Sequence, residues 1–168
     1  MLAVTTRASE SAARQAGVTI RFSKSEADIA ARVALARRAW EEGGDRDLSF
    51  DGDMVGRAIE RKLERPEKHC ALQAERGDTV VGVLMGVAAP HYHSPALGAS
   101  LLSWYVLPEH RGSLAAIKLL HGFRRWARDR GAVRLYAGIT SGVDIVRTDR
   151  LLKRLGFRVR GGNYMCVL

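Results

Sequence analysis

The stretch Trp104-Tyr105-Val106-Leu107-Pro108-Glu109-His110-Arg111-Gly112-Ser113-Leu114-Ala115-Ala116 decides how this chain is read. Residues 100–107 form a mostly apolar strand, the pattern of one buried on both faces and central to its sheet. Beyond the Pro-Glu-His turn, Ala116, Leu119, Leu120, Phe123 and Ala127 fall at helical spacing, and Gly131 ends the helix. Small residues at 112, 113, 115 and 116 let a ligand approach the backbone closely. The first-turn N–H groups and the helix dipole make such a junction attractive to a phosphate, and Arg111 adds a charge-assisted contact. Plain helix capping accounts for the same small residues. The segment is neither a Gly-x-x-x-x-Gly-Lys-Ser/Thr loop nor a Gly-x-Gly-x-x-Gly dinucleotide fingerprint.

Working outward, residues 18–22 alternate enough for a first strand, and Ser25 with Asp28 makes a capping box that opens a helix. Ile29, Val33, Ala36 and Trp40 mark one face of that helix, and Gly43-Gly44 ends it. Asp51 or Asp53 caps a second helix with Val55, Ile59 and Leu63 inward, stopped by Arg65-Pro66. Residues 69–75 and 79–88, joined by Arg76-Gly77-Asp78, read as a hairpin, and 90–95 as a turn-rich loop. Past the long helix come a short strand at 133–139, a second capping box at Ser141 to Asp144, and a helix with Ile145, Leu151, Leu152 and Leu155 inward, ended by Gly156. Residues 157–159 and 164–168, around Gly161-Gly162-Asn163, close the sheet as two strands. The predicted order, β-α-α-β-β-β-α-β-α-β-β, is an α/β fold: a mixed central sheet of about seven strands flanked by four helices, one domain over 17–168 with no repeat. Residues 1–16, rich in Ala, Ser, Thr and Arg, read as a disordered leader.

The chain has 168 residues, 46% hydrophobic and 27% charged, enough for one compact core. No apolar run approaches the ~20 residues of a membrane helix. Cys70 and Cys166 are too few for a disulfide framework and read as buried thiols in strands, in a reducing, cytoplasmic setting. The net charge of +9 is unevenly placed: residues 1–100 carry 14 Lys and Arg against 14 Asp and Glu, residues 101–168 carry 13 against 4. A phosphate-bearing partner would meet the C-terminal half; a solvated basic face explains the excess as well.

Residues 104–112, the helix they lead into, and Leu151-Leu152-Lys153-Arg154-Leu155-Gly156-Phe157 resemble the GNAT superfamily of acyl-CoA-dependent N-acyltransferases, over about residues 18–168. Arg111 and Ala116 fit the ends of the family's Arg/Gln-x-x-Gly-x-Gly/Ala pattern, while Leu114 replaces the inner Gly. The Arg-Gly-Ser-x-Ala-Ala form resembles a phage-type and bacterial branch. The resemblance implies that acetyl-CoA is the donor, its pyrophosphate on the amides of Gly112, Ser113, Leu114, Ala115 and Ala116 beside Arg111, its pantetheine arm along Val106 and Leu107. It implies direct transfer to an amine, driven largely by orientation, with a general base and an acid moving protons. The family's usual acid, a Tyr four residues before the Gly of the last motif, is Leu152 here.

Tyr164 and Tyr105 are the substitute acids, and His93, with His91, the candidate base at the edge of an acceptor pocket. Glu109 and His110 read as surface residues. No metal is expected, since His91-x-His93 lacks a third ligand. Glu41, Glu42, Asp45, Asp47, Asp51 and Asp53 would attract a cationic amine or simply be solvated. Three readings stay open: an active N-acetyltransferase, a GNAT-fold acyl-CoA-binding protein without transfer, and a nucleic-acid-binding protein. The last is disfavoured because Arg124, Arg125, Arg128, Arg130 and Arg134 lack interleaved exposed aromatics. A homodimer through sheet edges or C-terminal strands is what the resemblance implies.

Overall fold

A computed structural model describes residues 17–166; the expected leader at 1–16 and the last two residues of the expected final strand lie outside the described residues. Five strands form one sheet in the order β1-β2-β3-β4-β5: Thr19–Phe22, His69–Arg76, Thr79–His91, Ser94–Val106 and Arg134–Tyr136. The first four pair antiparallel and β4 pairs with β5 parallel, so the sheet is mixed. Four α-helices accompany it: α1 (Glu26–Glu42), α2 (Gly52–Leu63), α3 (Ala115–Asp129) and α4 (Ile145–Arg154).

The sheet thus has five strands where about seven were expected. Residues 157–166 are irregular: Gly156 and Gly161 both turn at positive φ, and Val159, Tyr164 and Met165 stand exposed. The strand expected at 133–139 shrinks to three residues. β4 starts six residues earlier than expected, because β3 and β4 pair as far as a turn at Tyr92-His93. It is also only half-buried: a bulge between Leu101 and Ser103 leaves Leu102 exposed.

α3 covers one face of the sheet. Leu119, Leu120, Phe123, Trp126 and Ala127 pack with Cys70, Leu72, Ala74 and Leu84 into one apolar core. Helix and sheet meet closely at Gly86, where an added Cβ would stand 2.3 Å from the Phe123 ring; only glycine leaves that ring its place.

α1 lies against the other face and differs from its apolar-stripe reading. Its buried residues are Asp28, Arg32 and Leu35, while Ile29, Val33, Ala36 and Trp40 are half-buried. Val33 lies beside Gly52 and Gly56 of α2, and the Trp40 indole donates to Asp45 O and Leu48 O, so the apolar stripe serves the second helix and the connector. The capping box forms as expected: Ser25 Oγ accepts from Asp28 N, and Asp28 Oδ2 from Ser25 N. Asp51, of the two candidates, caps α2. The box expected at Ser141 does not form: Asp144 is the N-cap of α4 at φ +47, with no side-chain capping bond.

Candidate functional site

β4 ends at Val106, a single 3-10 turn at Pro108–His110 follows, and the chain reaches α3 through Arg111 to Leu114. Gly112 sits at φ +94, in the left-handed region, and redirects the chain there. Leu114 is right-handed helical at φ −75, so the position that departs from the Gly-rich pattern does not require glycine. No side chain caps α3 from its N-cap position; the hydroxyl of Ser113 accepts only Ala115 N, at 3.2 Å. The remaining first-turn amides face outward at the positive end of a fifteen-residue helix. Val106, Leu107 and residues 111–116, named from the sequence as donor contacts, therefore run from the end of β4 to the first turn of α3.

The strand before this turn has an open side. β5 pairs with β4 only from Gly98 to Ser100, so beyond Ser100 one edge of β4 has no ladder partner among the described residues. Trp104 Nε1, shielded from solvent, has no hydrogen-bond partner there.

One cluster at the end of β4 was invisible in the sequence. Glu42, the last residue of α1, accepts from the Tyr105 hydroxyl at 2.7 Å and pairs with Arg111 Nη2 at 2.5 Å. Arg111 Nε donates to Val106 O at 3.1 Å, and its guanidinium stands 5.5 Å from the Tyr105 ring centre. Burial works against ionisation of Glu42, but the bonds from Tyr105 and Arg111 outweigh it and hold the carboxyl below its usual range. Burial and then the Glu42 carboxylate push the Tyr105 phenol well above its own. At neutral pH the cluster is a carboxylate, a protonated phenol and a guanidinium. A separation of 69 residues between Glu42 and Arg111 leaves no local signal, and the carboxylate reads as one of six acids near a helix end.

Arg147 is the other residue the sequence did not single out. From the first turn of α4 its Nη2 lies 3.5 Å from where a Cβ on Gly112 would stand, and its Nη1 approaches Asp144 Oδ2 at 4.0 Å. Leu152, at the position of the family's Tyr, is buried in the core and offers no proton.

The catalytic candidates are not gathered. Tyr105 is at the cluster. Tyr164 is 99% exposed in the irregular C-terminal segment, and His93 is exposed at the β3–β4 turn, its amide facing His91 Nδ1 at 3.5 Å. His91 lines a cavity of about 130 Å³ with Leu97, Gly98 and Tyr136, at the other end of β4 from Tyr105. Cys70 is fully buried and its thiol pushed up to about 12 by burial, which removes it as a nucleophile; Cys166, expected to be buried in a strand, is exposed and outside one. Among the described residues no group of three or more His, Cys, Asp or Glu is placed to hold a metal ion, and no helix is long and apolar enough to cross a membrane.

The sequence model of the family described as "Acetyltransferase (GNAT) family" matches residues 31–157. No curated protein matches by sequence. Among solved structures, an acetyltransferase from Trypanosoma brucei superposes with a TM-score of 0.69 at 14% identity, covering 90% of this chain and 99% of that one. AAC(6')-Iy in complex with the bisubstrate analogue CoA-S-monomethyl-acetylneamine gives 0.70 at 17%, covering 89% and 99%. A transcriptional regulator from Bacillus halodurans C-125 gives 0.73 at 18%, covering 90% and 99%. These likenesses establish a shared fold, which by itself carries proteins of different function. None of them supports assignment to a phage-type or bacterial branch.

Proposed function

We propose, from the premise that this chain belongs to the GNAT family of acetyltransferases, that it moves an acetyl group from acetyl-CoA to an amine by direct transfer. The observation that carries this reading is the junction itself: an α3 start whose N-cap Leu114 offers no capping side chain, behind the left-handed Gly112 and next to a β4 edge that β5 leaves open. The donor's pyrophosphate rests on the amides of 112–116, and its pantetheine arm lies along Val106 and Leu107 in the place of a missing strand. Arg147 supplies charge from above Gly112. Arg111 reaches the phosphates only by leaving Glu42, so the donor and the carboxylate compete for it.

In the reaction the amine nitrogen attacks the thioester carbonyl carbon, the C–S bond breaks, and CoA leaves as thiolate. Holding amine and thioester together supplies much of the rate. Glu42, near the end of β4, accepts the amine's proton as a weak base, since its carboxyl is held below its usual range, with Tyr105 keeping its carboxylate aimed. Tyr105 is a poor acid with its pKa raised, and Tyr164 and His93 make no contact with the cluster, so the thiolate takes its proton from solvent. The acceptor is a small molecule or a protein amine, drawn by the acidic α1–α2 connector, and the setting is cytoplasmic.

Titration calorimetry with acetyl-CoA and 3′-dephospho-CoA, followed by a thiol-release assay over a panel of amines, tests this reading. Saturable one-to-one binding, weaker without the 3′-phosphate, and thiol release with at least one amine are expected. Absence of heat sinks the donor site; binding without release from any amine favours a protein that holds acyl-CoA without transfer. Within an active enzyme, Glu42→Gln lowers kcat by about 10²-fold while KM for acetyl-CoA stays level or falls, because Arg111 is released toward the phosphates. A rise in that KM with kcat unchanged would make Glu42 a donor-site bracket only.

A further inference from the structure

Four cationic side chains of the basic C-terminal half, Lys118, Arg124, Arg125 and Arg128, lie on one side of α3. Lys118, His121, Arg125 and Arg128 follow one another at spacings of three, four and three, a single exposed stripe about 15 Å long at 1.5 Å per residue. With Arg124 beside it, the stripe forms one wall of a groove of about 730 Å³ whose other wall is Val18 to Ile20 at the start of β1. No acid lines the groove, and among the described residues none of Lys118, Arg124, Arg125 and Arg128 takes part in an ion pair. Lys118 and Arg124 spend one donor each on the carbonyls of Val18 and Leu155, which fixes their charge at the rim. β1 is the sheet edge opposite β5, so the groove lies away from the open side of β4.

We infer that this groove docks the phosphate backbone of a nucleic acid, without reading its sequence. Spaced cations suffice for that contact, and a stripe with no exposed Phe, Tyr or Trp lacks the large rings that form a stacking platform for successive bases. An acidic protein partner is less well matched. Stable protein interfaces centre on buried aromatic or aliphatic anchors, and none of the groove's residues is an exposed large apolar side chain. The sequence reading set nucleic acid aside because the arginines stand without aromatics; the fold shows that base stacking is the part that is missing, while a continuous phosphate track is present.

The test is fluorescence anisotropy of a labelled 20-base-pair duplex of arbitrary sequence, titrated with the whole chain between 50 and 200 mM salt. Four phosphate contacts give a slope of log K against log salt of about −3.6. Arg125→Gln with Arg128→Gln removes two exposed charges that hold no other element, and should weaken binding at least tenfold and bring the slope to about −1.8. Arg57→Gln with Arg61→Gln, exposed on α2, changes net charge equally and should weaken it less than threefold. Equal losses in the two variants, or no binding at 50 mM salt, would overturn the inference in favour of bulk charge. Displacement of the duplex by polyglutamate at matched charge would reassign the groove to an acidic protein, and stoichiometric displacement by CoA to the donor. None of these readouts depends on acetyl transfer.

Discussion

α1 and α3 cover opposite faces of the same sheet and hold it by opposite means. α3 presents Leu119, Phe123 and Trp126, with Phe123 and Trp126 stacked at 5.9 Å between ring centres. α1 presents Asp28 and Arg32. Asp28 Oδ1 and Oδ2 accept from the Arg21 guanidinium at 2.6 and 3.0 Å, from Lys24 N and Ser25 N, and from Gln73 Nε2. Arg32 is nearly fully buried and donates to Leu72 O, Leu84 O and Ser23 Oγ, each at 2.9 Å; Ser23 Oγ in turn donates to Gln73. Burial lowers the Arg32 guanidinium to about 10, still a cation at neutral pH. One face is fixed by displaced water and shape, the other by a chain of directed bonds through α1, β1, β2 and β3. An apolar face tolerates exchange of one hydrocarbon for another, whereas a polar network fails at any member left without a partner.

The largest effect should come from the apolar side. Phe123→Ala empties the centre of the α3 face and should cost about 3–5 kcal/mol in urea unfolding; a loss under 1 kcal/mol would mean that α3 is not the main prop of the fold. Gly86→Ala attacks the same contact from the sheet, forcing a methyl into the ring's place, and should cost about 1–3 kcal/mol.

On the polar side, Arg32→Met removes a buried cation along with its bonds, so relief from desolvation offsets part of the loss. A cost of about 1–3 kcal/mol is expected, and a neutral or stabilised variant would show that this network confers register more than stability. Asp28 adds a pH signature. Its bonds with Arg21 hold the carboxyl well below the usual range against its burial, so its folded pKa lies below its unfolded one. The stability it contributes is present above the unfolded value, about 3.9, and is lost as pH falls below that toward the folded one. Asp28→Asn should be less stable at pH 7 and show a flatter decline from pH 4 to 2; parallel declines would place the acid sensitivity elsewhere. The smallest effect is reserved for Val33→Ala on the half-buried stripe of α1, about 1 kcal/mol, and a loss matching that of Phe123 would collapse the distinction between the faces.

The same contrast explains what could be read from the chain. Helical spacing picked out α3's core residues because there the buried stripe and the apolar stripe coincide. On α1 it picked Ile29, Val33, Ala36 and Trp40, of which Val33 meets the second helix and Trp40 its connector, since periodicity cannot say which neighbour an apolar stripe meets or that Arg32 is satisfied by carbonyls from two distant strands. The junction at 106–116 was legible because a strand, a turn of small residues and a helix start are contiguous. The Glu42–Tyr105–Arg111 cluster was not, because it joins three elements.

The sequence by itself determined the order of the first nine elements, the capping box at Ser25, the strand–turn–helix junction at 106–116 and the family. All of these are set by local backbone preference or by residues adjacent in the chain. Only the tertiary structure decided that residues 157–166 add no strand, that a carboxylate stands between Tyr105 and Arg111, and that Lys118, His121, Arg125 and Arg128 share a groove with β1. Those outcomes depend on which surfaces meet across the sheet, and spacing along the chain carries no information about that.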